Sequence, residues 1–472
     1  MLWIFILLYV LAQALIAIFV ARKIRNQDDY FLAGRRIGPF LATFSIFATW
    51  FGAETCISSA SRVYESGLSG GRAEPMGYTL CLFIAGLFFA KALWKSNIVT
   101  LGDLFKKRYS PTVEKIAVLI MIPSSILWAG AQVRAFGQLV SSFSDISPTV
   151  AILLSGCFVI LYTSIGGLLG DIITDTVQGF ILMIGLFVLL YLAVDGVGGW
   201  ESVFSRLSAT DRLSLIGPNE SFLERLDIWM VPILGSLVTQ ELVSRMLACK
   251  NANVARTSTF MAAGMYLLIG LIPVTLGLIG PQLLPSLPQN DQFLPELAAT
   301  LLHPALLALF AGAILSAILS TVDSTLLTVS AFVTQNLLTN SDPTKSDSAK
   351  LRTARICVVA SGIAAIGFAV SAEGIYELVY AASSFGTAGI FIIFTMGISG
   401  KHGGAFAAGL TAVAGVVLLP IYEYLLDFRA PFVMTILSCL GIYLFVAVLE
   451  KRFVLVSRSI LIDSPVETLN YE

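Results

Sequence analysis

The sequence predicts an all-α polytopic membrane protein with about 13 transmembrane helices. Three observations predict it. The 472 residues are 57% hydrophobic and only 12% charged, roughly half the charged content of a soluble domain. Mean hydropathy is +0.86. Apolar runs of roughly 20 residues recur along the whole length, with almost no stretch between them able to form a polar surface.

In order, the expected spans are 2–20, 39–61, 74–93, 113–140, 148–165, 171–194, 227–249, 257–280, 304–338, 354–370, 376–396, 404–424 and 431–450. The first run lacks a basic leader and a clean cleavage site, so it reads as a span and not as a signal peptide. Basic residues concentrate on one side of these spans. With the N-terminus outside, the inside segments hold 22 of the 29 Lys and Arg residues, Arg245 among them, as the positive-inside rule expects. The expected location is the plasma (cytoplasmic) membrane, with the C-terminus inside and a short cytoplasmic tail without a further domain.

Span two holds the first site signal. Phe44 to Ser59 reads FSIFATWFGAETCISS, and it places Glu54 at bilayer depth, where a carboxylate is costly and usually functional. Gly52 can loosen the helix there and free carbonyls for a cation. The competing reading is close packing at Gly52, with Glu54 snorkelling to the interface.

After span three, TLGDLFKKRYS (100–110) reads as an interfacial amphipathic helix with Thr100 as N-cap. Between spans five and six, Gly166 and Gly167 make a turn. Asp171 and Asp175 then lie one helical turn apart, either as dipole-favoured caps or on a cation exit path. Pro232 and Gly235 interrupt span seven, with Glu241 beyond. Interrupted spans in corresponding positions mark transporter sites. Spans two and seven are five apart and run in opposite directions, so two inverted five-span repeats are expected, spans 2–6 and 7–11. The corresponding divisions are 1–38, 39–195, an extracellular loop 196–226, 227–397, two extra helices in 398–450, and the tail 451–472.

In span nine, AILSAILSTVDSTLLTVS (313–330) puts Ala317, Ser320 and Thr321 on one helical face. Two hydroxyls and a carbonyl suit a small hard cation; alternatively, the hydroxyls bond back to the i−4 carbonyls. The six cysteines sit in apolar segments without metal-ligand spacing and read as small core residues. His303 and His402 are too far apart in sequence to read as a site.

DYFLAGRR (29–36), TLGDLFKKRYS, the YT–GG–TD–Q pattern of Tyr162 to Gln178, and SAILSTVDSTLL together resemble the sodium:solute symporter family. The resemblance implies a fold similar to the bacterial leucine transporter, with a five-plus-five inverted repeat. It also implies one sodium site, formed by backbone oxygens of Ala48, Phe51 and Ala317 and the hydroxyls of Ser320 and Thr321. Within the family, the text around Ala48–Trp50, Pro75–Leu82, Gly86–Lys91 and Leu127–Ala131 is most like high-affinity choline transporters. That likeness implies an aromatic cage from Trp50, Tyr78 and Trp128, with Thr239 at a fourth, ringless position. Cation–π contact is strongest with Trp. Glu54, Arg134 and Glu241 complete the expected substrate set, and an arginine pairs a substrate carboxylate bidentately.

The expected function is sodium-coupled import of a small organic solute: choline, a betaine or an amino acid such as proline. A carboxylate such as pantothenate and a transporter-fold receptor are the alternatives. Neither an HExxH nor a GxSxG arrangement is present, so no enzyme is expected. No basic cluster points to nucleic acid. The expected partners are Na+, the solute and membrane lipids, with no cofactor and no obligatory protein partner.

Overall fold

The computed structural model describes residues 31–462 except 53, 72, 143, 145, 165–167, 209, 288–291, 339–346 and 401, together with Leu15 and Phe19. The expected first span and the Gly166–Gly167 turn therefore lie outside the described residues. Among the described residues, eight continuous helices are long and apolar enough to cross a membrane. Three further pairs qualify only together, because each bends at a break. Pro39–Trp50 meets Glu54–Ser69 at 60°, Phe222–Val238 meets Gln240–Ala248 at 48°, and Ile375–Ser384 meets Thr387–Ser399 at 41°. With the shorter apolar helix Pro148–Leu161, these elements fall in order on expected spans two to thirteen.

Span nine is the central post. Its first segment, Pro304–Ala331, packs against Pro111–Ser142 of span four and Leu168–Gly196 of span six. Large apolar side chains such as Leu161, Phe187, Leu268 and Phe445 point outward from the bundle, as a lipid-facing surface requires.

The break in span two is where Gly52 predicts it. Gly38 is extended, Pro39 opens the helix, and its fixed φ is pre-organised for that position. The helix ends at Trp50, and Phe51 turns away with ψ 57°. Span seven breaks elsewhere than expected. Pro232 and Gly235 lie within a widened turn, Val231–Gly235, and helical geometry continues through it. The chain leaves the helix only at Thr239, with ψ 136°. Gly235 instead serves packing: a Cβ there would lie 2.2 Å from the Ser383 carbonyl oxygen. The third break, in span eleven, gives no comparable signal beyond Gly386, which is left-handed at φ +67°.

One end of the bundle ties the two expected repeats together. Ile37 N donates to Ala248 O at 3.1 Å, and Lys250 N donates to Ile37 O at 3.0 Å. Trp94 Nε1 donates to Cys249 O at 2.7 Å. Beside them, Thr100 caps Leu101–Arg108 as expected: its hydroxyl accepts from Asp103 N at 3.2 Å, and its own N–H donates to Asp103 Oδ2 at 3.0 Å.

Two sequence readings need correction. Cys157 is exposed and Cys357 half-buried, while the other four cysteines are buried; an apolar residue in a membrane helix faces lipid as readily as protein. Arg245, counted above with the inside loops, is 2% exposed. It lies in the protein interior because ionic partners compensate it there.

Gly235→Ala is expected to destabilise the protein by about 1–3 kcal/mol, since the new methyl meets backbone in a packed core. Gly264→Ala, where a Cβ would meet nothing within 4 Å, serves as the control and should not destabilise. Thermal unfolding in detergent checks both; equal midpoints would refute the packing role of Gly235.

Candidate functional site

The break in span two lies against the polar turn of span nine. A Cβ on Gly52 would stand 3.1 Å from Gln132 Oε1 and 3.5 Å from Thr321 Oγ1, so Gly52 lies close against both side chains. Phe51 N donates to Phe47 O, and Cys56 N donates to Gly52 O. Between these bonds the helical ladder is interrupted, as a segment offering carbonyls to a cation must be. Ala48, Phe51, Ala317, Ser320 and Thr321 are all buried. Thr321 Oγ1 donates to Ala317 O at 3.0 Å, so this hydroxyl makes the back-bond that was the alternative reading. That bond also sets the hydroxyl beside the carbonyl.

Ser320 points into a buried charge cluster around Asp171 and Asp175, for which sequence reasoning offered helix capping or a cation exit path and not this cluster. Arg245 Nη2 lies 3.0 Å from Asp171 Oδ2 and 3.2 Å from Asp175 Oδ2. It also donates to Ser324 Oγ at 2.8 Å, and Nε donates to Ser45 Oγ at 3.0 Å. Ser45 donates to Asp175 Oδ2 at 2.8 Å. Ser320 donates to Asp171 Oδ1 at 2.9 Å and is in short contact with Asp175. Spans two, six, seven and nine thus share one network. Asp323, also buried, interacts electrostatically with both aspartates. Three carboxylates therefore face one guanidinium. A hydroxyl that donates its single proton to a carboxylate keeps lone pairs for a cation. The Asp171–Asp175 pair is thus an interior ionic anchor as well as an early-helix pair. A charge within a span was the available signal for Arg245.

The three expected cage residues come together. The Trp50 and Tyr78 rings stack with centroids 5.2 Å apart, and Trp128 meets Trp50 edge-on at 5.7 Å. Tyr266 of span eight, which the sequence reading missed, joins at 6.0 Å from Tyr78. The rings pack directly on one another. Glu54 belongs to this group, because its Oε2 accepts from Tyr78 OH at 2.7 Å. Glu54 also lines an open cleft with Ser59, Glu74 and Tyr380.

The other three expected substrate residues lie apart from the rings. Arg134 donates to Ala369 O at 2.9 Å and Glu373 O at 2.8 Å. It thereby satisfies carbonyls at the end of helix Asp347–Ser371. Thr239 donates to Ser236 O at 3.0 Å and lines a small cavity with Ser124, Glu241 and Thr387. Glu241 also borders a second cavity with Arg245, Ser324 and Thr328.

An interrupted span two against a hydroxyl-bearing span nine, inside a bundle with broken spans two and seven, defines a leucine-transporter-type secondary transporter. The bundle superposes on a Na+-coupled sialic acid symporter, solved substrate-bound and outward-open, with TM-score 0.84 at 19% identity. The match covers 95% of this chain and 97% of that one. The sodium:solute symporter family profile matches residues 30–412, and the chain belongs to that family, whose coupling ion is Na+. It is 27% identical over 401 residues to the high affinity choline transporter 1 of Homo sapiens, covering 80% of this chain and 69% of that protein. It is 26% identical over 357 residues to the sodium/pantothenate symporter of Haemophilus influenzae, covering 73% of each. The chain spans about two-thirds of the length of the choline transporters it matches.

Arg245→Ala is expected to destabilise the protein by about 3–5 kcal/mol, because it leaves buried carboxylates without a counter-charge. Adding Asp171→Asn should restore part of that loss. Denaturation midpoints in detergent test the pair; an unchanged midpoint for Arg245→Ala would show that the cluster is not an anchor.

Proposed function

We propose that this multi-pass membrane protein imports a small organic solute bearing a cationic nitrogen, driven by sodium. The observation that carries the reading is the convergence of Trp50, Tyr78 and Trp128 on the broken segment of span two. The proposed sodium site flanks Trp50 in the sequence, with Ala48 two residues before it and Phe51 directly after it. It comprises the backbone oxygens of Ala48, Phe51 and Ala317 with the hydroxyls of Ser320 and Thr321. The charge imbalance around Asp171, Asp175 and Asp323 supports it, since an interior with excess carboxylate favours a bound cation.

Coupling follows from this proximity. Sodium on the Phe51 carbonyl would stiffen the broken segment and so orient the Trp50 ring, which reduces the ordering cost of solute binding. The similarity to choline transporters supports a cationic amine. Arg134 gives a substrate carboxylate no partner beside the rings, because it is engaged at the end of span ten. The similarity to a pantothenate symporter supports the competing reading of an anionic solute, for which a cation–π group offers nothing.

Ser320→Ala and Thr321→Ala should each severely weaken uptake and raise its sodium requirement. Unchanged sodium dependence in both would remove the site from this face. Trp50→Ala should cost about 1–2 kcal/mol of solute affinity, roughly tenfold, with Trp50→Phe recovering part. Competition for uptake by choline, glycine betaine, proline and pantothenate decides the class: inhibition by pantothenate alone would refute the amine reading.

We further propose an outside N-terminus and an inside C-terminus in the plasma membrane, from the distribution of loop Lys and Arg. An epitope tag at the C-terminus should be inaccessible to antibody in intact cells and accessible after permeabilisation. Labelling of intact cells would reverse the orientation.

A further inference from the structure

The cleft beside the aromatic group holds two carboxylates that no sodium ligand set accounts for. Glu54 accepts from Tyr78 OH at 2.7 Å. Glu74, on the segment leading into span three, accepts from Tyr266 OH at 2.9 Å. Tyr78 and Tyr266 contact each other edge-on, so the two carboxylates border one ring pair and line one cleft. Among the described residues neither forms a salt bridge. Arg62, the basic residue described on the cleft wall, pairs with Glu377 at 3.1 Å. A third group points to a ligand: the Ser59 hydroxyl, on the same wall, is 3% exposed and its Oγ has no hydrogen-bond partner. A buried hydroxyl without a partner costs free energy that a ligand can recover.

We propose that Glu54, Glu74 and Ser59 form a recognition site for a protonated amine carrying N–H donors. It selects primary and secondary ammonium ions, diamines above all, over quaternary and zwitterionic ones. A quaternary nitrogen satisfies the rings but has no proton to give two carboxylates and a hydroxyl. An ammonium group donates up to three hydrogen bonds, and those to carboxylates are the stronger, charge-assisted kind. A zwitterion brings its own carboxylate toward Glu54 and Glu74, and like charges repel. This inference rests on the ring-group reading above and narrows it.

Binding of labelled putrescine to the purified full-length protein in nanodiscs, with sodium present, tests it. Unlabelled putrescine should displace the label best, then ethanolamine, then choline, with glycine betaine weakest. Glu74→Gln keeps an oxygen for Tyr266 and should fold. It should weaken putrescine at least tenfold and choline less than threefold, and Glu54→Gln should do the same. Choline or betaine displacing the label as well as putrescine would overturn the proposal. So would an equal loss for all four amines in Glu74→Gln, displacement by Ca2+ alone at concentrations matching the amine, or no saturable putrescine binding. If putrescine shows no saturable binding while labelled choline binds and depends on Trp50, the ring-group reading stands and this inference alone fails.

Discussion

The guanidinium of Arg245, buried between Asp171 and Asp175, is the interaction on which the centre of this bundle depends. Charges in such an interior persist only when paired and fully hydrogen-bonded. Here the partners come from three other spans, through Ser45 of span two, the two aspartates of span six, and Ser320 and Ser324 of span nine. The network therefore holds span six, the C-terminal half of span seven and the middle of span nine in one register against span two. Every polar group proposed to bind sodium sits within or next to that registered set.

Functional geometry follows from that anchor. With span nine held in place, Thr321 faces the interrupted turn of span two, and its hydroxyl lies close to Gly52. The helix ending at Trp50 then delivers an indole ring to the opposite side of the same turn. Sodium and solute are thereby proposed to share one short segment, so the position of that segment depends on both ligands. A secondary transporter needs this kind of linkage, because coupling is a free energy passed between two sites.

The cleft beyond the rings shows how one fold is turned toward different solutes. The bundle supplies rigid helices. The side chains that border the cleft, Glu54, Ser59 and Glu74, come from the C-terminal half of span two and the approach to span three. Residues there can vary with the solute, whereas the central cluster is constrained by charge balance.

The sequence by itself determined the membrane class, the order of twelve described apolar segments, the break at Gly52 and the Thr100 cap. Each is local: hydropathy over 20 residues, one glycine in a span, or one hydroxyl before a helix. Sequence likeness also brought Trp50, Tyr78 and Trp128 together before any coordinates did. Tertiary structure alone decided where charges find partners. Arg134 and Arg245 look alike as basic residues in apolar surroundings, yet one closes a helix end and the other joins two aspartates. Ser320 was legible as a polar position, but not as a donor to residues some 150 positions away. Thr239, not Gly235, ends the helix in span seven, because Gly235 is needed where Ser383 approaches. Glu74 and Tyr266 joined the site only by folding, since hydrogen-bond partners distant in sequence leave no periodic trace in it.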